Sequence, residues 1–199
     1  ETAAEMDRQY RANRAAVGAL HCIPLVLKDN FNTADMPTTG GNVSMKDSRP
    51  ASDAFTVAKL RTAGALILGK ANLQEFARGG MSKSSLGGQV LNPYDLTRTP
   101  GGSSGGTGAA VAANLALAGT GSDTGQSIRS PSSANNLVGV RPRAAHRLKA
   151  RRVGEQGELG LAERIDAPPA GREPAVVLGH HLQSCGVIDL PQTHHERFG

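Results

Sequence analysis

The chain has 199 residues, 38% of them hydrophobic, 3% aromatic and 20% charged, with a formal net charge of +5. That length holds one medium domain or a domain plus a tail, and the scarcity of aromatics requires a core of Ala, Val, Leu and Ile. No apolar run approaches the roughly 20 residues that span a bilayer, no basic-then-apolar leader opens the chain, and Cys22 and Cys185 match no metal or disulfide spacing; the expectation is a cytoplasmic protein with reduced thiols and no membrane contact.

Residues 1–18 read as a helix, with acids early and arginines later, as the helix dipole favours. Residues 22–28 read as a buried strand, because Ile23, Pro24, Leu25, Val26 and Leu27 form an unbroken apolar run. Lys28 closes that run and Phe31 lies just beyond it, so this lysine is expected to be partly desolvated. Residues 32–41, NTADMPTTGG, form a loop of turn formers. Ser52 or Asp53 is the expected N-cap of a helix running to about Ala63. Ala54, Val57, Ala58 and Leu60 fall near one face of it, and Gly64 is its stop. Residues 65–69, ALILG, are a short apolar strand. Strand, helix, strand in this order predicts an α/β sheet covered by helices. Residues 72–77 predict the start of another helix. Residues 92–100, with two prolines, are an irregular approach to the GGSSGG segment.

The chemistry concentrates in residues 101–131, GGSSGGTGAAVAANLALAGTGSDTGQSIRSP. Two serine-bearing, glycine-rich turns are separated by an alanine-rich helix predicted over 107–118. A glycine- and serine-rich loop alone is usually a flexible linker. A linker has no reason to continue into a strong helix former and a second such loop. A phosphate-binding loop fails because the Walker pattern ends in GK[ST] and this segment contains no Lys. Ser and Lys together suit hydrolysis. A Ser hydroxyl is a weak nucleophile until a base takes its proton. Lys is that base only when neutral, and burial favours the neutral form. The glycines permit the close approaches and dihedrals that aim backbone N–H donors at one oxyanion.

The segments PLVLKDN, KLRTAGALILGKANLQEF, LNPYDLTRTPGGSSGG and DTGQSIRSP resemble the amidase signature family, over residues from about 5 to 142. The resemblance implies an α/β fold, a mixed β-sheet flanked by helices on both faces, incomplete in this chain because full-length members are more than twice as long. It implies an amidase that cleaves carboxylic amides, with Ser127 as nucleophile, Ser103 as a bridging serine on a cis peptide and Lys28 as general base. The interval between the two serines is the family's. The backbone N–H groups of Thr124, Gly125, Gln126 and Ser127 would form the oxyanion hole. Gln126 stands where the family often has Gly; its N–H is retained and its side chain would border the substrate pocket. Ser104, Asp123 and Arg129 would support the site, the last two by pairing across the nucleophile loop. The implied partner is a small-molecule amide, and neither a metal nor an organic cofactor is needed. A rival within the family is the A subunit of a tRNA-dependent amidotransferase, which passes ammonia to a charged tRNA in a complex. A rival from another class is a catalytically inactive fragment or binding protein, in which Lys28 stays in water and keeps a pKa of about 10.4.

Two segments are expected. Residues 1–142 are the N-terminal part of the amidase signature domain. Residues 143–199 are a divergent tail rich in Arg, Pro, Gly and Ala that holds five of the six histidines. A GC-rich gene read out of frame gives such a composition, so the expectation is a frameshift or rearrangement near Arg143 and poor order beyond it. Within the tail, VVLGHHL and CGVIDL each read as a short strand. Arg141, Arg143, Arg147, Lys149, Arg151 and Arg152 form a basic run, but no aromatics interleave it, and nucleic acid is not the expected partner. His180, His181, Cys185, His194 and His195 match no standard zinc spacing. Exposed apolar edges favour self-association, which makes a homo-oligomer the remaining partner to consider.

Overall fold

The computed structural model describes residues 2–141 and 173–178. The N-terminal helix is shorter than expected. Helix α1 covers Thr2–Ala12, and a separate 3-10 turn covers Arg14–Ala16. Asn13 divides them: its backbone is extended and its Oδ1 accepts from the Ala15 N–H at 3.1 Å, which caps the second turn and interrupts the first helix.

Strand β1 (Pro24–Lys28), helix α2 (Phe55–Thr62) and strand β2 (Leu66–Ala71) make the expected strand–helix–strand unit, and the two strands pair in parallel. The predicted cap of α2 is corrected. Ala54 occupies the N-cap position with no side-chain bond. Asp53 is engaged elsewhere, accepting from the Ala34 N–H at 2.9 Å and pairing with Arg61 at 2.9 Å. Gly64 ends the helix with a φ of +87°. The register of β1 on β2 skips Leu68, which is left half-exposed.

The helix expected from residue 72 does not form. Only a 3-10 turn at Glu75–Ala77 is present. Phe76 and Ala77 sit at φ +49° and +56°, and the donors a helix would use are spent on distant acceptors. The Gln74 N–H reaches the Ser103 carbonyl at 3.0 Å and the Phe76 N–H reaches the Gly40 carbonyl at 2.8 Å. Beyond it lies a small hairpin, strands β3 (Lys83–Ser84) and β4 (Gly88–Gln89).

The alanine-rich segment is also corrected. Helix α3 begins earlier, at Gly105, and stops at Ala112. Asn114, at φ +58°, turns the chain away, and Ala118–Asp123, expected as the last helical residue and the start of the second loop, is strand β5. Helix α4 (Arg129–Ala134), strand β6 (Val138–Gly139) and strand β7 (Glu173–Leu178) complete the described elements. The sheet order is β2-β1-β5-β7-β6. Its first three strands are parallel and β7 runs antiparallel to both neighbours, so the sheet is mixed. The fold is α/β. Strand β7 takes in the start of the VVLGHHL segment; CGVIDL, the five His and Cys residues considered for zinc, and the basic residues beyond Arg141 lie outside the described residues.

Alternation along β1 divides the core. Leu27 packs with Val57 of α2 and Phe31, and Leu25 packs with Ala65 and Leu60. Val26 points the other way, to Ala71, Ala116 and Ala110 of α3. Side chains two apart share a face of a strand, so Lys28 emerges on the α3 side with Val26. Gly119, opposite Val26 in the register, lets α3 close down: a Cβ there would lie 2.5 Å from Thr107 Cγ2 of α3 and 2.8 Å from Val26 Cγ2.

Candidate active site

Lys28 is fully buried, not merely partly desolvated, because β5 and α3 cover the end of β1. Its backbone N–H donates to Thr120 Oγ1 at 3.1 Å. Its Nζ lies 2.6 Å from Ser103 Oγ, 2.8 Å from Ser122 Oγ and 3.4 Å from the Ser122 carbonyl oxygen. The solvated lysine that an inactive chain would carry is therefore not what the fold builds.

Ser103 is also fully buried, and its peptide bond to Gly102 is cis. Two elements hold this turn. Its carbonyl accepts from Gln74. The Ser82 hydroxyl, fully buried, donates to the Gly101 carbonyl at 2.7 Å and accepts from the Gly105 N–H at 2.9 Å. Ser104 is buried at the N-cap of α3, and its N–H donates to the Ser127 carbonyl at 3.1 Å. That bond brings the two serine loops together through the backbone. Among the described residues, Ser127 Oγ makes no hydrogen bond to Ser103.

Thr124, Gly125 and Gln126 are exposed and Ser127 is half-buried. Among the described residues, the N–H groups of Thr124, Gly125, Gln126 and Ser127 have no protein acceptor, so four consecutive donors are available at the mouth of the site. Their carbonyl side is anchored instead. The Arg129 guanidinium donates to the Gly125 carbonyl, and the Ser130 N–H donates to the Gln126 carbonyl at 2.8 Å. Asp123 is fully buried beneath this loop. It accepts from the Ile128 N–H at 3.1 Å, pairs with Arg129 at 3.3 Å and lies 3.7 Å from Arg141. Burial works against its charge, but the Ile128 and Arg129 N–H groups and the Arg129 guanidinium outweigh it and hold the carboxyl below its ordinary pKa.

Three consecutive residues at the end of β1 are tied to different segments. Lys28 reaches the Ser103 turn. Asp29 turns the opposite way, pairing with Lys70 at 3.0 Å and accepting from the Thr39 backbone and hydroxyl. Asn30 Nδ2 donates to Ser122 Oγ at 3.0 Å. Lys70 is a second enclosed lysine, bonded to the Phe31 carbonyl and Thr38 Oγ1, each at 2.8 Å. Burial pushes its pKa down, partly opposed by Asp29.

Of the expected residues, Lys28 and Ser103 meet directly, Ser127 is tied to the Ser103 turn only through its backbone carbonyl, and Asp123 and Arg129 meet under the 124–127 loop. Ser82, Ser122, Asn30 and Thr120 also meet around the Lys28–Ser103 pair and were not singled out from the sequence. The only sequence signal for them is position: Asn30 lies two residues beyond Lys28, and Thr120 and Ser122 fall in a glycine-rich stretch that reads as loop.

The model of the Amidase family matches residues 1–159. The chain belongs to the amidase family. It is 48% identical over 140 residues to the A subunit of glutamyl-tRNA(Gln) amidotransferase from Mycobacterium bovis, a match that covers 70% of this chain and 28% of that protein. Among solved structures, native peptide amidase from Stenotrophomonas maltophilia superposes with a TM-score of 0.67 at 46% identity, over 71% of this chain and 30% of that one. The A subunit of the Thermotoga maritima glutamyl-tRNA(Gln) amidotransferase gives 0.59 at 45% identity, over 60% of this chain and 26% of its own. The chain spans less than a third of the length of each.

Proposed function

We propose that this chain carries the Ser–Ser–Lys machinery of a carboxylic amide hydrolase. The observation that carries the reading is the 2.6 Å approach of a fully buried Lys28 amine to a fully buried Ser103 hydroxyl. In the mechanism, neutral Lys28 accepts the Ser103 proton as Ser103 accepts the Ser127 proton. Ser127 Oγ attacks the amide carbonyl carbon, and the resulting oxyanion is stabilised by the N–H groups of the 124–127 loop. The proton returns along the same path to the leaving nitrogen, and the C–N bond breaks. Water then attacks the acyl-enzyme, giving its proton to Ser103 and Lys28 in turn, and Ser127 is released with the acid.

Fluorophosphonate labelling of this chain tests the reading, since the phosphorus centre mimics the tetrahedral intermediate. Labelling is expected at Ser127, with loss of at least about 100-fold in Ser127→Ala and Lys28→Ala. Labelling at another serine, or unchanged labelling of Lys28→Ala, overturns it.

The 48% identity to a protein named as the A subunit of an amidotransferase supports a second reading, a chain that works only within a complex. Hydrolysis of simple amides by the isolated chain supports the free amidase; turnover that appears only on adding the other subunits supports the complex.

A further inference from the structure

Ser82 stands where a glycine would fit more easily. Its backbone lies in the left-handed region, at φ +54°, where a Cβ is disfavoured, and Gly79 and Gly80 come just before it. It is also fully buried. A residue other than glycine persists in such a conformation only when its surroundings over-determine it. The reason for a serine here is its hydroxyl.

That hydroxyl is spent on the Ser103 turn. It donates to the Gly101 carbonyl at 2.7 Å, lies 3.4 Å from the Ser103 carbonyl and accepts from the Gly105 N–H at 2.9 Å. The turn is shaped to admit it. A Cβ on Gly102 would lie 2.9 Å from Ser82 Oγ, and one on Gly105 would overlap it outright. Two of the glycines around the serine pair therefore make room for this one oxygen.

Gly101 and Gly105 are the ends of the segment that carries the chemistry. Between them Ser103 Oγ reaches the Lys28 amine at 2.6 Å, and the Ser104 N–H reaches the Ser127 carbonyl at 3.1 Å. One hydroxyl thus pins both flanks of a segment that faces the base on one side and the nucleophile loop on the other. Ser82 is itself anchored. Its carbonyl accepts from the Val90 N–H at 3.0 Å, next to the β3–β4 hairpin, and the adjacent Met81 carbonyl accepts from Thr99 Oγ1 at 2.8 Å. We propose that Ser82 is a positioning residue, which sets Ser103 between Lys28 and Ser127 by clamping the turn that bears it. The inference rests on Lys28, Ser103 and Ser127 acting as proposed above.

The test follows fluorophosphonate labelling of the full chain against probe concentration, which separates the maximal rate, the half-saturating concentration and the final extent. Ser82→Ala removes the hydroxyl; Ser82→Gly removes it and relieves the backbone as well, so it keeps the test decisive if Ser82→Ala does not fold. Ser82 is buried away from any substrate and acts through Ser103. Both variants are therefore expected to lose maximal rate by on the order of 10- to 100-fold, with the half-saturating concentration and the extent unchanged. Simple damage to the fold does the reverse: it lowers the extent or weakens probe binding and leaves the surviving molecules at the wild-type rate. That result in both variants overturns the positioning role. An unchanged rate in Ser82→Ala overturns it too, as does full recovery in Ser82→Gly, which assigns the loss to the backbone. Each of these results leaves Lys28 and Ser127 in place. Labelling that survives Lys28→Ala overturns the reading beneath it.

Discussion

At the scale of single residues, the 124–127 loop depends on a fully buried carboxylate. Asp123 receives the Ile128 N–H and pairs with Arg129 from below the loop that bears Ser127. Removing it leaves a buried N–H without an acceptor. Asp123→Ala is therefore expected to cost about 2 kcal/mol in urea unfolding. The sign of the pH effect comes from the lowered pKa. The folded value lies below the unfolded value of about 3.9, so the carboxylate stabilises the fold fully above that value. Its contribution disappears as the pH falls through the folded pKa. The wild-type chain is expected to lose stability on that acid side more steeply than Asp123→Ala, measured as urea midpoints from pH 6 down to about 3.

At the scale of elements, α3 lies so close to its neighbours that glycine is required where they touch. A Cβ on Gly106 would land on the backbone of Asn72, which cannot move aside as a flexible side chain could. Gly106→Ala is expected to destabilise by about 3 kcal/mol. Gly69 in β2 has open space where its Cβ would be, and Gly69→Ala should stay within about 0.5 kcal/mol of the wild type. Thermal unfolding of the two variants side by side checks the contrast. The same close packing explains what was legible in the sequence. β1, α2 and β2 were readable because their apolar patterns are strong and local, and the meeting of Lys28 with Ser103 because their motifs are distinctive. β5 was not. AGTGSD has Thr120 as its single strand-favouring side chain, and its place in the sheet comes from small residues that admit Thr107, Val26 and Ile128. The aborted helix after Asn72 was hidden for a related reason: its N–H groups are claimed by Ser103 and Gly40, residues remote in sequence. Asn30 and Ser122 matter only through a meeting of β1 with β5, which no local pattern announces.

At the scale of the whole molecule, the described sheet ends in β2 on one side and β6 on the other. Leu68, pushed out of register on β2, is 50% exposed and Val138 on β6 is 53% exposed. Unpaired edges with apolar side chains promote association between chains. Leu68→Thr combined with Val138→Thr is expected to reduce concentration-dependent self-association in sedimentation velocity, with labelling of Ser127 unaffected. Unchanged association in the double variant would place the sticky surface elsewhere. The β1 terminus carries a different consequence, one for how this sequence can drift. Lys28, Asp29 and Asn30 are three adjacent positions answering to three separate segments, the Ser103 turn, the Thr39–Lys70 side and Ser122. A substitution at Lys70 removes the ion-pair partner of Asp29, one residue from the lysine whose amine faces Ser103. Tolerated change at any of these positions is therefore expected to need a matching change in the segment it answers to, in β2, β5 or the Ser103 turn.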